Sequence, residues 1–312
     1  KQFLQQFLNP LLLRSIKGIS FNDWYKGNLE GIKTTELNNL LSLKDKFSFN
    51  VFLSVVLLSK LEKANTKNPK DGLKKFNKKK KLSKTSYKGL LMQLKNWIEK
   101  LNPLKEKTEW DSYSVANTYN KEQERQKTNI VKDFSKKNKP NLMADIGCND
   151  GHYSFESLKS GCKKVIGFDI DINSIDRAYK KSLKLGYDFL PLYFNATNPS
   201  ARLGWFEKER DSFIDRLNFD AVIALAFEHH LALANNVPLE DVVKWIMKIA
   251  KKGLVEFVDK TDETVVRMLS LKGDIFPNYN QENFEKYILS NGKIINKSII
   301  SNTRILYEFE TK

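Results

Sequence analysis

The stretch Asn141–Asp171, NLMADIGCNDGHYSFESLKSGCKKVIGFDID, constrains the fold more than any other part of the chain. An apolar run, Leu142 to Ile146, carries Asp145 near its end. A turn of small residues follows, Gly147-Cys148-Asn149-Asp150-Gly151, then a segment with helical patterning, then a second apolar run, Val165 to Phe168, that ends in Asp169. Strand, tight loop, helix and strand, with an acid at each strand end, is the layout of a nucleotide-type cofactor site at the carboxyl ends of a parallel sheet. Gly147 and Gly151 lack a Cβ, so the loop can turn sharply and let a ligand lie against its backbone. Asp145 is placed to accept from that ligand or to brace the loop. Asp169 follows Gly151 by eighteen residues, about the spacing at which a carboxylate reaches a ribose diol.

The rest of the second half repeats the alternation. Strands are expected at Leu142–Ile146, Val165–Asp169, Asp188–Phe194, Phe219–Ala224 and Leu254–Val258, and helices at His152–Ser160, Ser174–Leu185, Glu207–Leu217 and Leu239–Ala250. Tyr119–Lys137 reads as a helix leading into the first strand. Alternation at this spacing implies a parallel sheet with helices on both faces. Helices near Glu263–Leu271 and Gln281–Leu289 come next. Lys293–Ser301 and Arg304–Glu310 then form a terminal hairpin that adds an antiparallel strand. The expected fold is α/β: a Rossmann-like, doubly wound, seven-stranded sheet ending in an antiparallel hairpin, over residues 111–312. Residues 1–110 read as a mainly helical accessory region. It holds the FLQQFLNPLLL run, an aromatic cluster at Phe21, Trp24 and Tyr25, a stretch at Asn50–Leu61 that periodicity leaves open between helix and strand, and the amphipathic segment Leu90–Leu101. A Lys- and Asn-rich connection spans about 65–88.

The net charge of +16 suggests a nucleic-acid partner until it is located. Residues 60–107 alone hold a surplus of 12 positive charges, with an unbroken Lys78–Lys81 run. Such a run suits RNA or an anionic membrane surface, and equally a solvated linker. Only 8 of the 53 basic residues are Arg, the residue that does most bidentate phosphate and base reading. Cys148 and Cys162 make no disulfide framework, which points to a reducing, cytoplasmic setting. The longest apolar stretch, Val51–Leu58, is too short to span a bilayer, and the start does not resemble a signal peptide. The chain begins at Lys1 rather than Met, which leaves room for native residues ahead of it.

A dinucleotide dehydrogenase wants G-x-G-x-x-G after its first strand. This loop reads D-x-G-x-N-x-G, which fits the first motif of class I S-adenosylmethionine methyltransferases, usually D/E-x-G-x-G-x-G. Asn149 stands in place of the middle Gly, and Asn tolerates positive φ better than most residues. Further stretches narrow the resemblance: ADIGCNDGHYS at 144–154, NPSARLGW at 198–205, HHLALANNVPL at 229–239, VEFVDKTDETVVRML at 255–269 and DIFPNYNQENFE at 274–285. With these the chain resembles bacterial nodulation host-specificity methyltransferases of the NoeA type. The resemblance implies methyl transfer from S-adenosylmethionine and does not itself name the acceptor; the lead expectation is a hydroxyl of a small molecule or glycan. The resemblance also implies that Asp145, Gly147, Asn149 and Gly151 line the methionine part of the cofactor and that Asp169, with Ile170 beside it, holds the ribose. Asn195 and Ala196, after the third strand, face the adenine, Asn195 accepting from its amino group. Ala224–Ala226, at the end of the fourth strand, passes near the sulfonium, and Arg125 or Lys127 pairs with the cofactor carboxylate.

A hydroxyl acceptor also needs a general base. The chain has three His, two of them adjacent, His229 and His230, directly after the fourth strand and preceded by Glu228. If strand geometry continues into this loop, alternation turns only one ring toward the substrate, and His230 is favoured. A bracing role for the pair is the competing reading. No metal site is expected, because neighbouring His rarely converge and no flanking Cys or acid has ligand spacing. Glu256, a carboxylate inside an apolar strand, points either to the active-site end or to a buried Lys or Arg. Amino-group methylation of RNA bases is disfavoured: Ala226-Phe227-Glu228-His229 stands where such enzymes carry an N/D-P-P-Y/F motif. An RNA or protein methyltransferase recruited through the Lys-rich segment, and a non-catalytic cofactor-binding protein, are the alternatives.

Overall fold

The computed structural model describes residues 1–67, 83–104, 120–270 and 273–312. Lys78–Lys81, most of the Lys-rich segment and the expected boundary near residue 110 lie outside the described residues. The chain divides into two compact units, Lys1–Lys107 with Leu203–Arg210, and Thr108–Arg202 with Asp211–Lys312.

The second unit is built on one seven-stranded sheet of order β3-β2-β1-β4-β5-β7-β6. Its strands are β1 Leu142–Ile146, β2 Lys164–Asp169, β3 Phe189–Tyr193, β4 Phe219–Ala224, β5 Ala250–Val258, β6 Gly292–Ser301 and β7 Arg304–Thr311. Strands β1 to β5 run parallel, and β7 is antiparallel to both β5 and β6. The expected Rossmann-like sheet with its terminal hairpin is therefore present. Strand order reverses between β1 and β4, which opens a ligand crevice at their carboxyl ends. Period-2 alternation supplies both faces. Ala144, Ile146, Val222, Ala224, Val255 and Phe257 pack under the helices Leu239–Ile249 and Gln281–Asn291. Met143, Val165, Ala221, Ile223 and Leu254 pack under Lys121–Asn138, His152–Lys159 and Ile172–Leu185.

The helix expected over Glu207–Leu217 does not form. Two single 3₁₀ turns stand there, Trp205–Glu207 and Ile214–Arg216. Phe206 and Glu207 both take left-handed φ, 58° and 59°, which no helix accommodates. Asp215 closes the second turn on itself, accepting from Ser212 N at 3.0 Å and from Arg202 in a bidentate pair at 2.5 and 2.6 Å. Local side-chain bonding of this kind competes with helix propagation. The intervening bridge, Leu203 to Arg210, counts with the first unit, where Arg210 Nη1 donates to Tyr25 O at 2.6 Å.

The first unit is helical. Leu8, Leu12, Leu13, Ile32, Leu37, Val51 and Val55 form its core. Asn9, fully buried, stitches it by donating to Ile32 O at 2.8 Å and Thr34 Oγ1 at 3.2 Å. Asn50–Leu61, left open by periodicity, is helical throughout, including a wide π turn at Phe52–Leu57.

Gly167 on β2 shows how tightly the sheet closes beneath the Gly147–Gly151 loop. A Cβ there would lie 2.7 Å from Cys148 Sγ and 2.7 Å from the Phe189 ring. Gly167→Ala is expected to cost about 1–3 kcal/mol through overpacking, which lowers the melting midpoint by several degrees in calorimetry.

Candidate active site

The loop after β1 is wound by its own backbone. Gly147, Asn149 and Gly151 take φ of 79°, 48° and 85°. Asn149 thus adopts the left-handed conformation that a glycine would supply at the middle motif position. The two glycines also clear space for aromatic rings: a Cβ on Gly147 would meet the Phe227 ring at 2.9 Å, and one on Gly151 would meet Phe189 at 2.4 Å. Gly147 N and Cys148 N donate to Phe168 O at 2.8 and 3.1 Å, which fastens the loop to the end of β2.

Asp169 completes that junction. One carboxylate oxygen accepts from Asn149 N at 2.8 Å and the other from Asp171 N at 2.8 Å. Asp171 caps the helix Ile172–Leu185 in turn, accepting from Ser174 N at 3.1 Å. Burial raises the Asp169 carboxyl above the usual carboxylate range. Two backbone donors leave about half of the carboxylate's acceptor directions open, enough for a vicinal diol. Asp145 lies deeper: burial pushes its pKa up to about 7, while Ser154 Oγ donates to it at 2.5 Å. The geometry makes Asp145 a brace for the loop. Ile170 is exposed beside Asp169. Asn195 follows β3 with its Oδ1 engaged by Thr197 N at 3.0 Å and Thr197 Oγ1 at 2.7 Å. Its free hydrogen-bonding capacity is therefore weighted toward the amide NH₂. Ala196 adjoins it and packs against the core, with Phe194 at the strand end. Ala226, at the end of the β4 loop, is held at φ 50°, a strained conformation for a residue with a Cβ.

Strand geometry does not continue into the His pair. After β4 the chain turns into a π-helical segment, His230–Ala234, with His229 already helical at φ −64° and ψ −27°. The alternation argument for choosing between the rings therefore fails, and burial separates them instead. His229 is fully buried and neither ring nitrogen makes a hydrogen bond, Nδ1 lying 3.9 Å from Glu228 Oε1; His230 lies half-buried with its ring 4.2 Å from that of His229. Burial first, and then Arg304, lowers the pKa of His230 to about 4. Burial, His230, Arg304 and Lys127 hold His229 well below the ordinary range. Both rings are neutral at pH 7.

Glu228 points into the protein. It is fully buried, accepting from Val258 N at 2.8 Å and lying 2.9 and 3.0 Å from Tyr279 Oη. Burial raises its pKa to about 8. Tyr279 Oη also lies 2.6 Å from Val258 O. A tyrosine hydroxyl has one proton, so a protonated Glu228 satisfies the set: it donates to Tyr279 Oη, which donates to Val258 O. No local pattern in the sequence pointed to this hydrogen bond of Tyr279.

A buried ionic cluster lies behind the pair. Lys127 Nζ meets Glu256 Oε2 at 2.6 Å with Arg304 Nη1 3.8 Å from Glu256, and Arg304 forks onto Asp262 at 2.7 and 3.0 Å. Glu256 thus has both kinds of buried partner the sequence suggested. Lys127 is committed to this cluster, whereas Arg125 on the same helix is exposed. His152, at the start of its helix, lies 3.3 Å from Thr128 Oγ1. Arg304 and Asp262 were not singled out from sequence, although a charged residue opening the apolar RILYEF run was a usable signal.

No family model matches the sequence. Nodulation protein NoeA of Rhizobium meliloti (strain 1021) is 43% identical over 312 residues, covering 99% of this chain and 65% of NoeA. The chain is similar to NoeA along nearly its whole length. It spans less than two thirds of NoeA's length. A shorter similarity, 36% over 88 residues, joins 27% of the chain to 26% of the tRNA U34 carboxymethyltransferase of Campylobacter lari. Among solved structures, the N-methyltransferase NodS from Bradyrhizobium japonicum WM9, in complex with S-adenosyl-L-homocysteine, is 12% identical with a TM-score of 0.46, covering 64% of this chain and 92% of NodS. The NoeA similarity includes the whole sheet and the loops that carry Asp145, Asp169 and the His pair.

The buried Glu228 has a pH signature. Its carboxyl binds a proton up to about pH 8 when folded but only to about 4.5 when unfolded, so its contribution to stability falls as pH rises between those values. Glu228→Gln keeps the hydrogen bonds without the charge. The melting midpoint of the variant relative to wild type should therefore improve steadily from pH 5 to about pH 8.5; a pH-independent difference would contradict a protonated Glu228.

Proposed function

We propose that this chain is an S-adenosylmethionine-dependent methyltransferase that methylates a hydroxyl of a small molecule or glycan. The carrying observation is Asp169, a half-buried carboxylate that joins the Gly147–Gly151 loop to the end of β2 and keeps acceptor capacity for a ribose diol. When bound, S-adenosylmethionine supplies a methyl group activated by its sulfonium. The residues around the site fit that group: Asp169 would hold the ribose hydroxyls, and Ile170, Asn195 and Ala196 would border the adenine. Asn195 offers its NH₂ to a ring nitrogen, since its oxygen is engaged by Thr197. Gly147, Asn149 and Gly151 bring backbone close to the methionine part, braced by Asp145, and Ala226 borders the reacting end. The free thiols of Cys148 and Cys162 agree with a cytoplasmic setting.

His230 is the residue we assign to the acceptor. Being neutral from well below pH 7, it accepts a hydrogen bond from the hydroxyl, orients it and takes up its proton. His229 and Glu228 support it: the first packs against its ring, and the second fixes the loop to Val258 and Tyr279.

A second reading concerns the group transferred. The Campylobacter relative is named for carboxymethyl transfer. A carboxylate carried beside the sulfonium would come near the loop whose His229 feels the buried cations Lys127 and Arg304. Mass spectrometry of the sulfonium recovered from purified protein separates the two readings.

Three outcomes test the main one. Asp169→Ala removes charge-assisted bonds of about 1.5–3 kcal/mol each, so S-adenosylhomocysteine affinity should fall at least tenfold in calorimetry; unchanged affinity would displace the ribose from this site. His230→Ala should lower turnover on a hydroxyl acceptor by about 10²–10⁴-fold while S-adenosylhomocysteine affinity stays within a few-fold. Wild-type turnover should show no acid limb near pH 6.5, since the His230 pKa lies at about 4. Near-full turnover in folded His230→Ala would remove His230 from the chemistry.

A further inference from the structure

The helical run Phe49–Lys67 is apolar on two sides. Val51, Val55 and Ser59 face the core of the first unit. Phe49, Leu53, Leu57 and Leu61, each four residues on from the last, face solvent. A helix that is apolar all round is normally covered all round. The exposed row is continued by the preceding turn, where Leu43 is 80%, Phe47 87% and Phe49 66% exposed. Leu43, Phe47 and Phe49, with Phe52 and Val56, line a groove of about 510 Å³ beside that row.

Charge indicates what covers it. Lys46 and Lys60 line the groove, and Lys44 and Lys63 are exposed on the same turn and helix. Of the two acids on this turn and helix, Glu62 is half-buried with interactions of its own, and Asp45 is already held: Lys17 pairs with it at 2.5 Å and it caps Ser42 N, which together lower its pKa to about 2. Protruding Phe and Leu side chains ringed by Lys match a bilayer interface, where the apolar groups enter the acyl region and the ammonium groups stay with anionic headgroups. A second copy of this chain suits the face poorly, because it would bring the same lysines against one another. Among the described residues no helix is long and apolar enough to cross a membrane, so attachment here is peripheral.

We infer that the Leu43–Leu61 face of the first unit docks on an anionic membrane surface, seating Leu43, Phe47 and Phe49 below the headgroups. The test is co-sedimentation of the full chain with vesicles of phosphatidylglycerol mixed with phosphatidylcholine, and of phosphatidylcholine alone. The anionic vesicles should bind the protein and the neutral ones should bind at least tenfold less, with the difference shrinking as salt rises. Phe47→Ser with Phe49→Ser should weaken binding about tenfold to a hundredfold. Both positions are exposed, so the melting midpoint of this variant should match wild type, which separates lost docking from lost folding. Three results would each overturn the proposal: no binding to anionic vesicles, equal binding by the folded double variant, or light scattering that shows self-association of the wild type abolished by the same substitutions.

Discussion

One carboxylate holds the ligand end of the sheet together. Asp169 sits where β2 stops, and its two oxygens take the backbone N–H groups of Asn149 and Asp171. The first bond fixes the loop after β1, and the second starts the turn into the helix Ile172–Leu185. Phe168 O, one residue earlier, takes two more donors from the same loop. The loop therefore gets its shape from the neighbouring strand as well as from its glycines. That explains how Asn149 can replace a motif glycine: its left-handed φ is stabilised by the bond its N–H makes to Asp169.

The second organising feature is electrostatic. Glu256 and Asp262 balance Lys127 and Arg304 in a buried cluster reaching from the helix Lys121–Asn138 across β5 to the start of β7. Breaking such a pair on one side is costly, so the cluster ties the hairpin to the centre of the sheet. It also sets the chemistry nearby. Its cations help keep His229 and His230 neutral, while burial keeps Glu228 protonated near pH 7. The loop after β4 thus presents neutral hydrogen-bonding groups, suited to a hydroxyl and to a sulfonium's neighbourhood.

The sheet was legible in the sequence because buried parallel strands read as short apolar runs and because acids mark the ends of β1 and β2. The cofactor loop was legible for the same reason: Gly147 and Gly151 need their φ and their missing Cβ. The β3–β4 connection was not, since Phe206 and Glu207 adopt left-handed φ that their residue types do not announce. The orientation of the His pair was not either. Alternation holds only while a strand continues, and the π-helical turn at His230 depends on packing that no local pattern encodes. Glu256 was a signal that could be followed halfway: a carboxylate in an apolar strand demands a cation, but Lys127 lies 129 residues away in sequence and Arg304 belongs to another strand.

The account rests on Asp169 receiving the ribose without giving up the loop. A crystal structure of the chain with S-adenosylhomocysteine tests that directly. The account predicts both ribose hydroxyls within hydrogen-bond distance of the Asp169 carboxylate, the Asn149 N–H still bonded to it, and the sulfur directed toward Ala226 and His230. A ribose bound elsewhere, or an Asp169 that turns away from the loop to reach it, would contradict the account.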